Sequence, residues 1–214
     1  MTITRIKLER FTAFEALDFK PSPGVNVLIG ANGTGKTHLM KVAYAAVDVS
    51  KTKVDLAEKL TGVFLPSGRA IGRLTRRKSV STRGSADVWR GDLKIRVSFS
   101  NHTAKAGSAT VSGATAWSAV AIESVFIPVK EMLANGPGFR SLYARREIHF
   151  EEIYADILDR AYLPLLRGPK DKQRTDLLKS LQECMEGKII EKKEEFFLKN
   201  KQGELEFTLL AEGI

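Results

Sequence analysis

The sequence predicts an α/β fold: a mixed β-sheet gathered around one strand–loop–helix unit, with a helical segment and a β-hairpin behind it. Three observations predict it. Val25-Asn26-Val27-Leu28-Ile29 is a short β-branched apolar run of the kind a buried parallel strand shows. Gly30-Ala31-Asn32-Gly33-Thr34-Gly35-Lys36-Thr37 follows at once and fills every fixed position of Gly-x-x-x-x-Gly-Lys-Ser/Thr, the Walker A phosphate-binding pattern. His38 to Val47 then sets Leu39, Ala43, Ala46 and Val47 on one helical face.

The chemistry of the loop follows from its backbone. Gly33 and Gly35 can take φ > 0 and carry no Cβ, so consecutive N–H groups can turn inward around phosphate oxygens. A helix N-terminus adds partial positive charge and unpaired donors at the same place. The candidate binding residues are therefore Gly30, Ala31, Asn32, Gly33, Thr34, Gly35, Lys36 and Thr37, with His38 next to them. Lys36 is the candidate catalytic residue, a point charge for the β- and γ-phosphates, and the Thr37 hydroxyl is the candidate Mg²⁺ ligand. The implied ligand is a nucleoside triphosphate with its magnesium.

Ahead of the loop, Ile6 to Glu9 alternates and Leu17 and Phe19 alternate after a turn, which predicts two short strands before the break at Pro21-Ser22-Pro23-Gly24. Behind it, Leu56 to Leu60 reads as the close of a helix. Lys94 to Ser100 reads as a half-buried strand with Ile95, Val97 and Phe99 on one face, and Ser108 to Trp117 as its partner. Glu123 to Ile127 reads as a strand stopped by Pro128. Beyond Gly136-Pro137-Gly138 the pattern becomes helical. Phe150, Ile153, Tyr154, Ile157, Leu158 and Ala161 form one apolar stripe, and a second amphipathic helix spans about 172–186 with Gly187 as its C-cap. Phe196 to Leu198 and Leu205 to Phe207 flank a polar turn and predict a hairpin. The domain boundaries expected are 1–135 for the nucleotide-binding lobe, 136–187 for the helical segment and 188–214 for the hairpin.

With 43% hydrophobic and 28% charged residues, the 214-residue chain has the composition of a globular protein, and no apolar run approaches the roughly 20 residues of a membrane span. Its one cysteine, Cys184, excludes an internal disulfide, sits at helical spacing from Leu177 and Leu181, and is expected in the core of a cytoplasmic protein. The net charge of +9 is concentrated in Arg69, Arg73, Arg76, Arg77, Lys78 and Arg83, a basic loop (about 69–83) that could touch nucleic acid or simply stand in solvent. Glu151, Glu152, Asp156 and Asp159 read as the solvated side of a helix. His38, His102 and His149 are too scattered for a zinc site. No apolar run ends in the Asp of a Walker B strand, which in P-loop enzymes orders the Mg²⁺.

The asparagine-containing loop, the two strands ahead of it, and Arg10-Phe11-Thr12-Ala13-Phe14 with Leu17-Asp18-Phe19 between them resemble the ABC-type ATPases of the SMC/RecF/OLD-like group, which include bacterial "AAA family ATPase" proteins. Phe126 to Leu133, Phe139 to Tyr143 and Glu204 to Ile214 extend the likeness. The resemblance implies an ABC-type N-terminal lobe binding ATP and Mg²⁺, with Phe11 to Phe14 near adenine and ribose. It also implies Ala211 to Gly213 as the start of a signature motif, in a chain truncated or split from its C-terminal half. A homodimer or a partner chain would then supply Walker B and the signature, in DNA metabolism or phage defence. Two other readings stay open: a small P-loop kinase with Arg73 or Arg76 on a lid, and a non-hydrolysing, nucleotide-responsive binding module.

Overall fold

The computed structural model describes residues 2–76, 80–130, 132–164 and 171–210. It divides between Phe126 and Ile127 into two compact units, inside the expected 1–135 lobe.

The first unit is built on an antiparallel sheet. β1 (Arg5–Phe11) turns tightly into β2 (Phe14–Phe19), and β1 also pairs with β3 (Arg83–Arg90), giving the order β2-β1-β3-β4-β5 with β4 (Leu93–Ser100) and β5 (Thr110–Ser112). Ile6 stands opposite both Phe19 and Val88, and Val97 opposite both Ala86 and Val111. The period-2 pattern sends Ile6, Leu8, Ala86, Val88, Ile95, Val97 and Phe99 inward, each 1% exposed or less. β3 escaped the sequence reading. Its run Arg83-Gly-Ser-Ala-Asp-Val-Trp-Arg90 is nearly all buried, polar residues included, so it shows no clean alternation.

The unit's helices are α1 (Lys36–Thr52) and α2 (Leu56–Phe64), which pack on each other. Leu56 to Leu60 opens α2 rather than closing a helix, because the Asp55 carboxylate caps the N–H groups of Ala57 and Glu58. Lys59 pairs with Asp48 across the α1–α2 contact at 2.9 Å, both side chains buried. On α1, Leu39, Val42, Ala45, Ala46 and Val49 are buried, while Ala43 and Val47 of the expected face are half-buried. Ser108 to Trp117 splits in two: three residues pair as β5, then α3 (Ala114–Trp117) seats Trp117, whose Nε1–H donates to Ala46 O at 2.6 Å. From there the chain follows α1, with Ile122 N–H on Ser50 Oγ at 3.0 Å and the Phe126 ring 5.8 Å from Tyr44.

Two expected strands are absent. Neither Val25–Ile29 nor Glu123–Ile127 carries ladder hydrogen bonds, and Val25, Val27 and Ile29 are 89%, 74% and 90% exposed. A strand exists only with a partner, and the antiparallel sheet places none of its described strands beside either run.

The second unit holds α4 (Phe139–Ala144), α5 (Glu152–Ala161) and α6 (Lys172–Cys184), and the sheet β6-β7-β8 (Lys188–Lys192, Glu195–Asn200, Gly203–Glu206). Phe139, Ala155 and Leu158 form its core, with Tyr143, Tyr154 and Tyr162 against them. The Tyr162 ring lies 5.0 Å from Phe196 and its hydroxyl donates to Glu194 O, joining helix to sheet. The stripe read on α5 is buried only at Ile153 and Leu158, joined by Ala155. α6 has no buried residue, so Cys184 is exposed and not in the core. The left-handed residue that ends α6 is Glu186, not Gly187, whose N–H returns to Gln182 O. Ala211, Glu212 and Gly213 lie outside the described residues.

Candidate phosphate-binding site

The loop that ends at α1 turns on glycines in the left-handed region. Gly33 and Gly35 have φ of 81° and 96°, a region that a side-chain-bearing residue enters at a cost. Gly35 is the N-cap of α1 and makes no side-chain capping bond, and no acidic residue sits in the first turn. The positive end of a 17-residue helix is therefore left to whatever enters the loop. Ala31 to Thr34 and Thr37 are exposed, and Lys36 is half-buried.

Lys36 folds back over the loop. Its Nζ donates to Gly30 O and Ala31 O, both at 2.7 Å, and Thr34 Oγ1 donates to Ala31 O at 2.9 Å. The ammonium thus reaches across the loop's mouth and holds two neutral carbonyls there, partners that an anion would displace. Thr37, one residue on, is exposed. The His38 ring points elsewhere, 5.4 Å from Phe64 of α2. Among the described residues no group of three or more His, Cys, Asp or Glu could hold a metal by itself, so Mg²⁺ at Thr37 would take its remaining ligands from phosphate oxygens and water.

The β1–β2 turn walls the loop. A Cβ built on Gly35 would lie 2.6 Å from Phe14 Cζ and 3.0 Å from Ala13 Cβ. Ala13 and Phe14 are half-exposed beside the cradle. Phe11 is not: it is fully buried between Phe64 and Phe99, at 5.7 and 6.1 Å, and has no route to a ligand. Of the expected Phe11-to-Phe14 stretch, only its end meets the loop.

The basic stretch is only partly a loop. Ile71–Leu74 is a 3-10 turn with Ile71 and Leu74 buried, and Thr75 bridges Phe11 as a fragment of strand. Arg69 and Arg73 are exposed on it, and Arg83 begins β3. Arg77 and Lys78 lie outside the described residues. Arg76 leaves the group: its Nη1 donates to Ala13 O and its Nε lies 3.5 Å from the Glu15 carboxylate. The sequence showed Arg76 as one of six cations; its place beside the β1–β2 turn is a tertiary contact with no local signal.

Of the carboxylates on and before α5, expected on a solvated face, Asp159 alone is exposed. Asp159 pairs with Arg140 at 2.6 Å, and Glu151, Glu152 and Asp156 are half-buried with partners of their own. No helix among the described residues is long and apolar enough to cross a membrane.

No family model matches the chain. It is similar in part to the DNA replication and repair protein RecF of several bacteria. With that of Vibrio atlanticus (strain LGP32) it shares 46% identity over 44 residues, 21% of this chain and 12% of that protein. With that of Pectobacterium atrosepticum it shares 29% over 101 residues, 47% and 28% of the two chains. With that of Salmonella newport it shares 30% over 107 residues, 45% and 27%. The matched stretches thus span 12–28% of the length of these relatives.

Proposed function

We propose that this chain is the ATP-binding N-terminal part of an ABC-type ATPase of the SMC/RecF/OLD-like group. The observation that carries the reading is the loop at Gly30–Thr37, with two left-handed glycines, a reaching lysine and an uncapped helix N-terminus of positive sign. The antiparallel β1–β2 pair against that loop, and the partial similarity to RecF, support this group over a small kinase.

In this reading the backbone N–H groups of Gly33 to Thr37 cradle the phosphates, Lys36 exchanges its two carbonyls for β- and γ-phosphate oxygens, and Thr37 holds Mg²⁺. Bound Mg-ATP supplies the reactive phosphoanhydride; this chain's residues orient and neutralise it. Hydrolysis needs an acid that no apolar run of these 214 residues supplies. We assign that acid, and the signature motif, to a partner chain of different sequence. The same assignment accounts for Val25, Val27 and Ile29, an apolar run beside which no strand of the described residues pairs. The role follows the relatives: DNA metabolism, with phage defence as the alternative setting, and Arg69, Arg73 and Arg83 as candidate DNA contacts.

Thermal unfolding with and without Mg-ATP tests the reading. Ligand at about 100 times its Kd stabilises by about 2.7 kcal/mol, a rise of a few degrees in Tm. Equal shifts with ATP and with Mg²⁺ alone would contradict it. Rapid ATP turnover by the isolated chain would contradict the assignment of the acid to a partner.

A further inference from the structure

The turn that walls the phosphate loop is held in an uncommon shape. Arg10 and Thr12 have φ of 44° and 49°, left-handed values that residues with a Cβ rarely adopt. Such a turn persists only if its surroundings fix it. Beside the Phe11–Phe14 pairing of the two strands and the Arg10 Nε–H bond to Arg83 O at 2.8 Å, three hydrogen bonds hold it from one further segment. Thr12 N–H donates to Leu74 O at 2.7 Å, and Arg76 N–H donates to Arg10 O at 2.8 Å. The Arg76 guanidinium donates through Nη1 to Ala13 O, while its Nε lies beside Glu15 of β2. The backbone bonds fix residues 10–12. Of these three bonds the guanidinium's is the one that reaches residue 13, and Ala13 and Phe14 are the side chains that meet Gly35.

We propose that Arg76 is a positioning residue of the nucleotide site: by holding Ala13 it fixes Phe14 as a wall for the part of the nucleotide beyond the phosphates. The inference rests on the nucleotide-binding reading above and adds to it a residue outside the Walker loop. The division of labour follows from the geometry. Phosphates lie within reach of Lys36 and the loop's N–H groups. The ribose and base must leave the cradle past its rim, and at Gly35 that rim is a half-exposed aromatic ring. Lysine in place of Arg76 keeps the charge but concentrates its donors on one nitrogen, losing the planar fork that serves Ala13 O and Glu15 together.

The test compares binding of Mg-ATP and of magnesium tripolyphosphate, which lacks ribose and base, by calorimetry on wild type, Arg76→Ala, Arg76→Lys and Lys36→Ala. Thermal unfolding of each variant checks that it is folded. The proposal expects Arg76→Ala to weaken ATP roughly tenfold while tripolyphosphate changes less than about twofold. Arg76→Lys is expected between wild type and Arg76→Ala, and Lys36→Ala to weaken both ligands. Equal weakening of both ligands by Arg76→Ala would make Arg76 a phosphate contact and overturn the positioning role; unchanged ATP binding would overturn it as well. If Arg76→Ala does not fold, the same split in Arg76→Lys decides, its absence counting against the proposal. Wild type that binds neither ligand would overturn the nucleotide reading itself, and this inference with it.

Discussion

Gly35 carries two constraints at once. Its φ of 96° excludes most side chains, and the space a Cβ would need is held by Phe14. Gly35→Ala is therefore expected to cost about 1–3 kcal/mol of stability and to displace the β1–β2 turn from the loop, measurable by chemical denaturation. Thr75 is the opposite case. Its side chain is buried, yet Oγ1 has no hydrogen-bond partner among the described residues. A buried hydroxyl without a partner costs stability that an apolar group does not. Thr75→Val is expected to raise stability by about 1 kcal/mol, and a loss of that size in denaturant melts would mean the hydroxyl is bonded after all. Both residues lay in plain view in the sequence. The demands on Gly35's φ were legible from the motif, because the loop's chemistry fixes its backbone. The contact with Phe14 and the burial of Thr75 were not, because both arise from chain segments brought together only by folding.

At the scale of elements, the α1–α2 pair shows what the sequence could and could not disclose. The helix after the loop was readable from its apolar spacing and is longer than expected, Lys36 to Thr52. Its buried partner charge was not readable: Asp48 and Lys59 look like surface residues until α2 folds onto α1. Asp48→Asn leaves the Lys59 ammonium buried without its counter-charge and is expected to destabilise the first unit by about 3–5 kcal/mol. Replacing both residues by leucine should recover most of that loss. A single variant as stable as wild type would show that the lysine finds water. In the second unit, Leu158 is wholly buried against Phe139 and Ala155. Leu158→Ala is expected to cost about 2–5 kcal/mol, with the loss read from the tyrosine signals of Tyr143, Tyr154 and Tyr162 around it. The strands with clean alternation, β1, β2 and β4, were legible. β3, buried along nearly its whole length, was not.

For the whole molecule, the informative finding is where regular structure is missing. Apolar residues at alternate positions from Val25 to Ile29, and at Val125 and Ile127 of the 123–127 run, are the sequence signature of sheet strands, yet these runs have no ladder and leave those residues largely in solvent. Local pattern states what a segment is suited to, and pairing decides what it becomes. An exposed apolar run with unpaired backbone is also a site of self-association. Val27→Lys is expected to lower the aggregate fraction seen by light scattering at high protein concentration while leaving Mg-ATP binding within about twofold. Unchanged scattering would mean that this run is not the adhesive surface.

The central claim is that the loop at Gly30–Thr37 binds a nucleoside triphosphate through Lys36, and calorimetric titration of Mg-ATP into wild type and Lys36→Ala tests it most directly. Removing the charge that would leave Gly30 O and Ala31 O for phosphate oxygens should weaken binding by roughly 10- to 100-fold, the equivalent of about 1.5–3 kcal/mol for a charge-assisted hydrogen bond. Equal affinities for the two proteins, or no heat of binding with wild type, would contradict the assignment of the site.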